Sequence, residues 1–134
     1  MKKTILLVDD EIDILDIQNR YLLQAGYDVL VAHDGKEGLE LFRKKSIDLI
    51  ITDIMMPNMD GYDFISEVQY TAPDQPFLFT TAKTSEQDKI YGLSLGADDF
   101  IAKPFSPREL VLRVIISCAA LVVAERPSRL SSVT

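Results

Sequence analysis

The chain has 134 residues, 47 % hydrophobic and 26 % charged, with a net charge of −7, which suits one soluble globular domain built on a single sizeable core. The acidic balance argues against direct binding to nucleic acid, because phosphate contacts are made mainly by Lys and Arg. A lone cysteine, Cys118, excludes an internal disulfide and a cysteine-built metal site, and makes a reducing cytoplasm the natural setting.

The basic start Met1-Lys2-Lys3-Thr4 leads into an apolar stretch that ends by Asp9, too short for a signal peptide. Within it, Ile5-Leu6-Leu7-Val8 is a continuous apolar run stopping at Asp9-Asp10-Glu11, the pattern of a strand buried on both faces. Ile12 to Ala25 spaces Leu15 and Leu22 helically and closes on Gly26 as a C′ residue. Val29 to Ala32 is a second strand, and Gly35 to Lys45 a second helix with Leu39, Leu41 and Phe42 as core candidates. Leu49 to Thr52 is the third strand, delivering Asp53 to a loop marked by Pro57 and Gly61.

Tyr62 to Tyr70 sets Phe64, Ile65 and Val68 on one helical face, and Pro73 and Pro76 end it. Phe77 to Thr81 is the fourth strand. Ser85 is placed as the N-cap of the next helix, with Glu86 and Asp88 near its positive end and Gly96 closing the segment. Phe100 to Ala102 is a short fifth strand, and the last helix begins near Pro107. This alternation predicts a doubly wound α/β domain of the flavodoxin-like kind, with five parallel strands in the order 2-1-3-4-5 and five helices.

In such a sheet the C-terminal strand ends share one edge. Asp9 and Asp10 follow the first strand, Asp53 the third, Thr81 the fourth and Lys103 the fifth. Three carboxylates at one edge repel one another unless a cation sits among them. Mg²⁺ fits, since it takes oxygen ligands and accepts one or two carboxylates together with phosphate oxygens. Singly, each residue has an ordinary reading as a solvated acid, a strand threonine or a surface lysine. Their convergence on one edge favours a site for an incoming phosphoryl group, with Lys103 neutralising charge and Thr81 giving a hydrogen bond.

The stretches Ile5 to Glu11, Leu49 to Gly61, Thr81-Ala82-Lys83 and Gly96 to Phe105, in this order, resemble the receiver domain of two-component response regulators from about residue 3 to residue 113. The resemblance implies that Asp53 is the phosphoacceptor, taking a phosphoryl group from the phosphohistidine of a sensor histidine kinase or from a small phosphodonor. It also implies that Asp10, Asp53 and the backbone carbonyl of Met55 ligate Mg²⁺, with Asp9 acting through water. Lys103 would pair with a phosphoryl oxygen, Thr81 would move to hydrogen-bond another, and Phe100 would turn inward with it. Phe stands at position 100 where Tyr is commoner in the family, which removes a phenolic hydroxyl from that surface. On this reading the chain is no turnover enzyme: it takes the phosphoryl group onto itself and loses it slowly.

Lys89, Asp98, Asp99, Glu109 and Arg113 match the charged surface on which receivers of the winged-helix transcription-factor subfamily form a homodimer when activated. Their ordinary reading is a set of surface charges, Glu109 and Arg113 being an i, i+4 pair. His33 reads as a loop residue, Cys118 as a packed small side chain, and Met56 and Met59 as packing for the loop after Asp53.

The likeness breaks after Val114, where Val114 to Ala124 forms eleven apolar or small residues, too few to span a bilayer and apolar on every face. A family-like ending Val-His-Asn-Ile-Leu-Arg-Arg-Leu can be encoded so that deleting one nucleotide after its first codon yields Val-Ile-Ile-Ser-Cys-Ala-Ala-Leu, identical to Val114 to Leu121. The expectation is a receiver over residues 1–124 and a disordered tail over 125–134, frameshifted from Ile115. The intact gene would encode a winged-helix transcription factor whose output domain, absent here, touches the DNA. Alternatives are a stand-alone receiver acting by protein contact and a flavodoxin-like cofactor binder. Asp9-Asp10-Glu11 disfavours the latter, standing where a phosphate-binding loop would be. An aspartyl-phosphate hydrolase is disfavoured because no second Asp lies two residues after Asp53.

Overall fold

The five apolar runs form five parallel strands, β1 (Thr4–Val8), β2 (Asp28–Ala32), β3 (Leu49–Asp53), β4 (Phe77–Thr81) and β5 (Asp99–Ala102). In the computed structural model, which describes residues 2–131 and side chains over 2–121, they lie in the order 2-1-3-4-5. The helices between and after them are α1 (Ile12–Gln24), α2 (Gly35–Lys44), α3 (Gly61–Thr71), α4 (Glu86–Ser94) and α5 (Pro107–Ser131).

Because side chains alternate across a strand, each strand feeds two cores. Leu6, Val8, Ile50, Phe77 and Phe79 pack with Leu39 of α2 and Phe64, Ile65 and Val68 of α3. On the other face Ile5, Leu7, Leu49, Ile51, Leu78 and Ile101 pack with Leu15 and Leu22 of α1 and with Leu110, Val114 and Cys118 of α5. The strands thus read as apolar runs because both faces are covered.

Local chemistry sets the helix ends. The carboxylates of Asp34 and Asp60 accept the N–H groups of Glu37 and Asp63 at the starts of α2 and α3, and the Ser85 hydroxyl accepts that of Asp88 on α4. Gly26 and Gly96 follow α1 and α4 with φ of +98° and +100°, the left-handed conformation that ends a helix. The expected core candidates of α2 differ in depth: Leu39 is buried, while Leu41 and Phe42 are partly buried against the same cluster.

Past its first turns, α5 is not uniformly covered. Val114 and Cys118 face α1, whereas Leu112, Ile115 and Ile116 are 57 %, 46 % and 60 % exposed. The expected tail over 125–134 falls outside the residues whose side chains are described, although helical backbone continues to Ser131. Among the described residues, no helix is long and apolar enough to cross a membrane.

Candidate functional site

Parallel register brings the acidic strand ends together. Val8 pairs with Thr52, which sets Asp9 beside Asp53, and Asp53 is itself the last residue of β3, opposite Thr80 of β4. Thr81 pairs with Ala102, and its carbonyl accepts the N–H of Lys103 at 2.8 Å. The fourth strand thereby anchors the backbone that carries the lysine.

Asp9 and Asp53 are buried, 1 % and 3 % exposed, and Asp10 is exposed. One carboxylate oxygen from each of the three lies within 4.8 Å of the others. The Lys103 ammonium reaches into this group, 2.8 Å from Asp9 Oδ2, 3.0 Å from Asp53 Oδ2 and 3.4 Å from Glu11 Oε1. The remaining oxygens of the buried acids take backbone donors: Glu11 N–H at 2.9 Å on Asp9 Oδ1, and Met55 N–H at 3.2 Å on Asp53 Oδ1. Asp10 has no hydrogen-bonded or ionic partner among the described residues.

Sequence reasoning called on a metal ion to settle the repulsion of the acids, and the protein's own ammonium does part of that work. Glu11, taken only as the end of an acidic run, is a third carboxylate for Lys103. The signal for it was its place two residues beyond Asp9, where an Asx-type turn folds it back over the strand end.

Burial pushes the Asp53 carboxyl above its ordinary value of 3.8, with the Lys103 hydrogen bond and charge pulling the other way and Asp9 adding to the rise. For Lys103, burial works against the ammonium, but bonds and charge from Asp9 and Asp53 outweigh it and the pKa is raised. The two shifts differ in what they say of the pair. Several carboxylates serve one ammonium, so Lys103 gains more from the cluster than Asp53 does.

The loop after Asp53 is folded tightly over it. Gly61 N–H donates to Ile54 O at 2.8 Å, and a Cβ on Gly61 would run into the Asp53 carbonyl oxygen and lie 2.8 Å from Ile54 Cα. Met56 is buried and Met59 packs on the α2/α3 core, as expected for loop packing, while the Met55 side chain is 52 % exposed.

Thr81 is buried, and its hydroxyl accepts the N–H of Lys83 at 3.0 Å rather than contacting the carboxylates. The half-buried Phe100 ring packs edge-on to Phe79, centroids 6.3 Å apart, and lies over Gly92 of α4. Tyr62 extends this aromatic contact, touching Phe79 and Tyr91 and donating to Asp88 of α4 at 3.4 Å.

The five charged surface residues are not brought into one cluster. Arg113 holds both oxygens of Asp99 at 2.9 Å and Glu109 at 3.3 Å, while Lys89 and Asp98 are exposed and outside that network. His33 follows β2, exposed and 3.3 Å from Glu37. Cys118 is buried beside Tyr27, in keeping with a packing role.

This arrangement of strand ends recurs in known proteins. Residues 5–115 match the family described as the response regulator receiver domain. Response regulator SaeR of Staphylococcus aureus strain USA300 is 51 % identical over 110 residues, covering 82 % of this chain and 48 % of that protein, so the chain spans about half the length of the curated relatives it matches. Among solved structures, the non-phosphorylated HemR receiver domain of Leptospira biflexa superposes with a TM-score of 0.82 at 34 % identity, covering 87 % of this chain and 94 % of that one. The chemotaxis protein CheY4 of Vibrio cholerae gives the same TM-score and identity, covering 87 % of this chain and 99 % of its own. The chain belongs to the response regulator receiver domain family.

Proposed function

We propose that Asp53 accepts a phosphoryl group from the phosphohistidine of a sensor histidine kinase. The observation that carries this reading is the Lys103 ammonium held between Asp9 and Asp53. An Asp53 oxygen attacks phosphorus, the P–N bond breaks, and its electron pair leaves with the imidazole, which takes a proton. The product is an acyl phosphate on Asp53. Lys103 neutralises charge on the phosphoryl oxygens, and Thr81 exchanges its bond from Lys83 for one to the phosphoryl group.

The donor set, three carboxylates with hard oxygens, fits Mg²⁺. Asp10, Asp53 and the Met55 carbonyl would hold it, with Asp9 through water, and when bound it supplies further neutralisation of phosphoryl charge. Movement of Thr81 is passed to Phe100 and to the surface of α4, β5 and α5, where Lys89, Asp98, Asp99, Glu109 and Arg113 pair two activated copies. In the cytoplasm, a winged-helix output domain on the full-length protein turns this into transcriptional regulation.

The test is intact mass after incubation with acetyl phosphate and Mg²⁺. Wild type gains one phosphoryl group, chelator suppresses the gain, and Asp53→Asn shows none. Equal labelling of that variant would overturn the assignment.

A further inference from the structure

α4 docks on the sheet through little apolar surface of its own. Gly92, under the Phe100 ring, is its one buried position among the described residues, while Ile90, Tyr91 and Leu93 are 61 %, 50 % and 51 % exposed. A helix seated this lightly needs further contacts to fix where it lies, since helices in folded chains are stabilised mainly by a packed face.

Two polar side chains of α3, seven residues apart, make those contacts. The Gln69 amide donates to the carbonyl of Leu95 at 2.7 Å, meeting a carbonyl that the C-terminal end of α4 leaves without a partner inside the helix. Two turns earlier, the Tyr62 hydroxyl donates to Asp88 at 3.4 Å, and its ring stands edge-on to Tyr91 with centroids 4.7 Å apart. Asp88 and Leu95 are also seven residues apart, so the bonds form matched rungs between two helices running the same way. The Ser85 hydroxyl donates to the other Asp88 oxygen at 2.7 Å, which fixes the carboxylate that Tyr62 meets. Burial and the Asp88 charge push the Tyr62 hydroxyl up to about 12, so it stays a donor across the neutral range.

We propose that Tyr62 and Gln69 are positioning residues that clamp α4 in its resting place and so oppose the switch driven from Asp53. The inference rests on the phosphoryl reading of Asp53 and goes beyond it by assigning the restraint to α3. Both rungs are made while the Thr81 hydroxyl accepts the Lys83 N–H and the Phe100 ring covers Gly92. An inward turn of Phe100 removes the surface on which Gly92 rests, and α4 follows only by releasing Tyr62 and Gln69. Weakening either rung therefore raises the share of molecules ready to accept a phosphoryl group, because a contact made in one of two states biases the equilibrium between them.

Hydrogen exchange of the full chain in chelator, without phosphodonor, reads the clamp directly. Tyr62→Phe keeps the ring and loses the hydroxyl, and Gln69→Leu keeps a side chain of similar size and loses the donor. In each, the amides from Ile90 to Leu95 should exchange about fivefold faster, the factor carried by one net hydrogen bond. Acetyl phosphate labelling with Mg²⁺ should quicken by a similar factor. Ile65→Val, a core change on α3 that leaves both rungs in place, should move neither readout. Unchanged exchange across α4 in both variants would overturn the proposal. So would faster exchange with labelling no quicker than wild type, or labelling quickened equally by Ile65→Val. A wild type that takes no label would instead strike the phosphoryl reading, with the exchange result still deciding whether the rungs hold α4.

Discussion

Lys103 Nζ lies 3.0 Å from Asp53 Oδ2, and the same ammonium lies 2.8 Å from Asp9, with all three side chains at least nine-tenths buried. Removing the lysine leaves two buried carboxylates without their counter-charge. Lys103→Met should therefore lose ~3–5 kcal/mol at pH 7, the scale for breaking a buried pair from one side. Urea unfolding reads this directly, and added Mg²⁺ should narrow the gap to wild type by restoring positive charge among the acids. A loss within the range of an exposed pair would contradict the burial argument.

The raised pKa of Asp53 gives a pH dependence with a definite sign. Its folded pKa lies above its unfolded one, so its stabilising contribution is fully present below the ordinary value of 3.8 and is lost as pH rises through the folded value. At neutral pH the ionised carboxylate is thus a net cost to the fold. In chelator at pH 7, Asp53→Asn should melt at a higher temperature than wild type, and the difference should shrink as pH is lowered toward 3.8. A variant that melts lower at pH 7 would show that the Lys103 contact outweighs burial.

Asp10 separates metal binding from folding. It is exposed and unpartnered among the described residues, so Asp10→Asn should change metal-free stability by no more than about 0.5 kcal/mol. Wild type should gain about 1.4 kcal/mol at a Mg²⁺ concentration roughly ten times its dissociation constant. The variant should gain almost nothing over the same titration. Thermal melts with and without chelator make the comparison.

Gly61 tests the loop that folds over Asp53. A Cβ there meets backbone, the Asp53 carbonyl oxygen and Ile54 Cα, rather than a side chain that can swing away. Gly61→Ala should destabilise by about 2–4 kcal/mol and slow acetyl phosphate labelling, because relief requires the Asp53 peptide to shift. Unfolding curves and labelling rates should change together.

Arg113 already holds Asp99 and Glu109 within one chain, so the proposed pairing of two copies would share or exchange these bonds. Variants with Lys89 or Glu109 reversed in charge should each fail to dimerise on phosphorylation, and their mixture should recover dimers by sedimentation. No recovery would remove the two residues from the interface.

Much of the fold was legible because apolar runs bounded by Gly, Pro and Asp leave little choice when both sheet faces are covered. Boundaries slipped where pairing outlasts the apolar run. Asp53 was read as the first residue past β3, yet it still pairs across to Thr80. The start of α3 was read at Tyr62, although Asp60 and Asp63 carry the N-cap pattern that sets it at Gly61. In the site, the convergence of Asp9, Asp53 and Lys103 followed from topology. The length of the lysine's reach did not, since it depends on how the backbone after β5, held by the Thr81 carbonyl, aims the side chain at Asp9 and Asp53. Gln18 escaped notice although it lies between Leu15 and Leu22 on the core stripe of α1, spacing that predicts burial whatever the side chain.

The bond from Lys103 to Asp9 joins residues 94 positions apart in sequence. During synthesis β1 and β3 emerge first, carrying acids with no lysine to answer them. The edge becomes whole only when β5 docks as the last strand of the sheet. Any chemistry drawn from these three residues is therefore open only to a chain whose fifth strand has joined the sheet, and the site certifies the sheet that builds it.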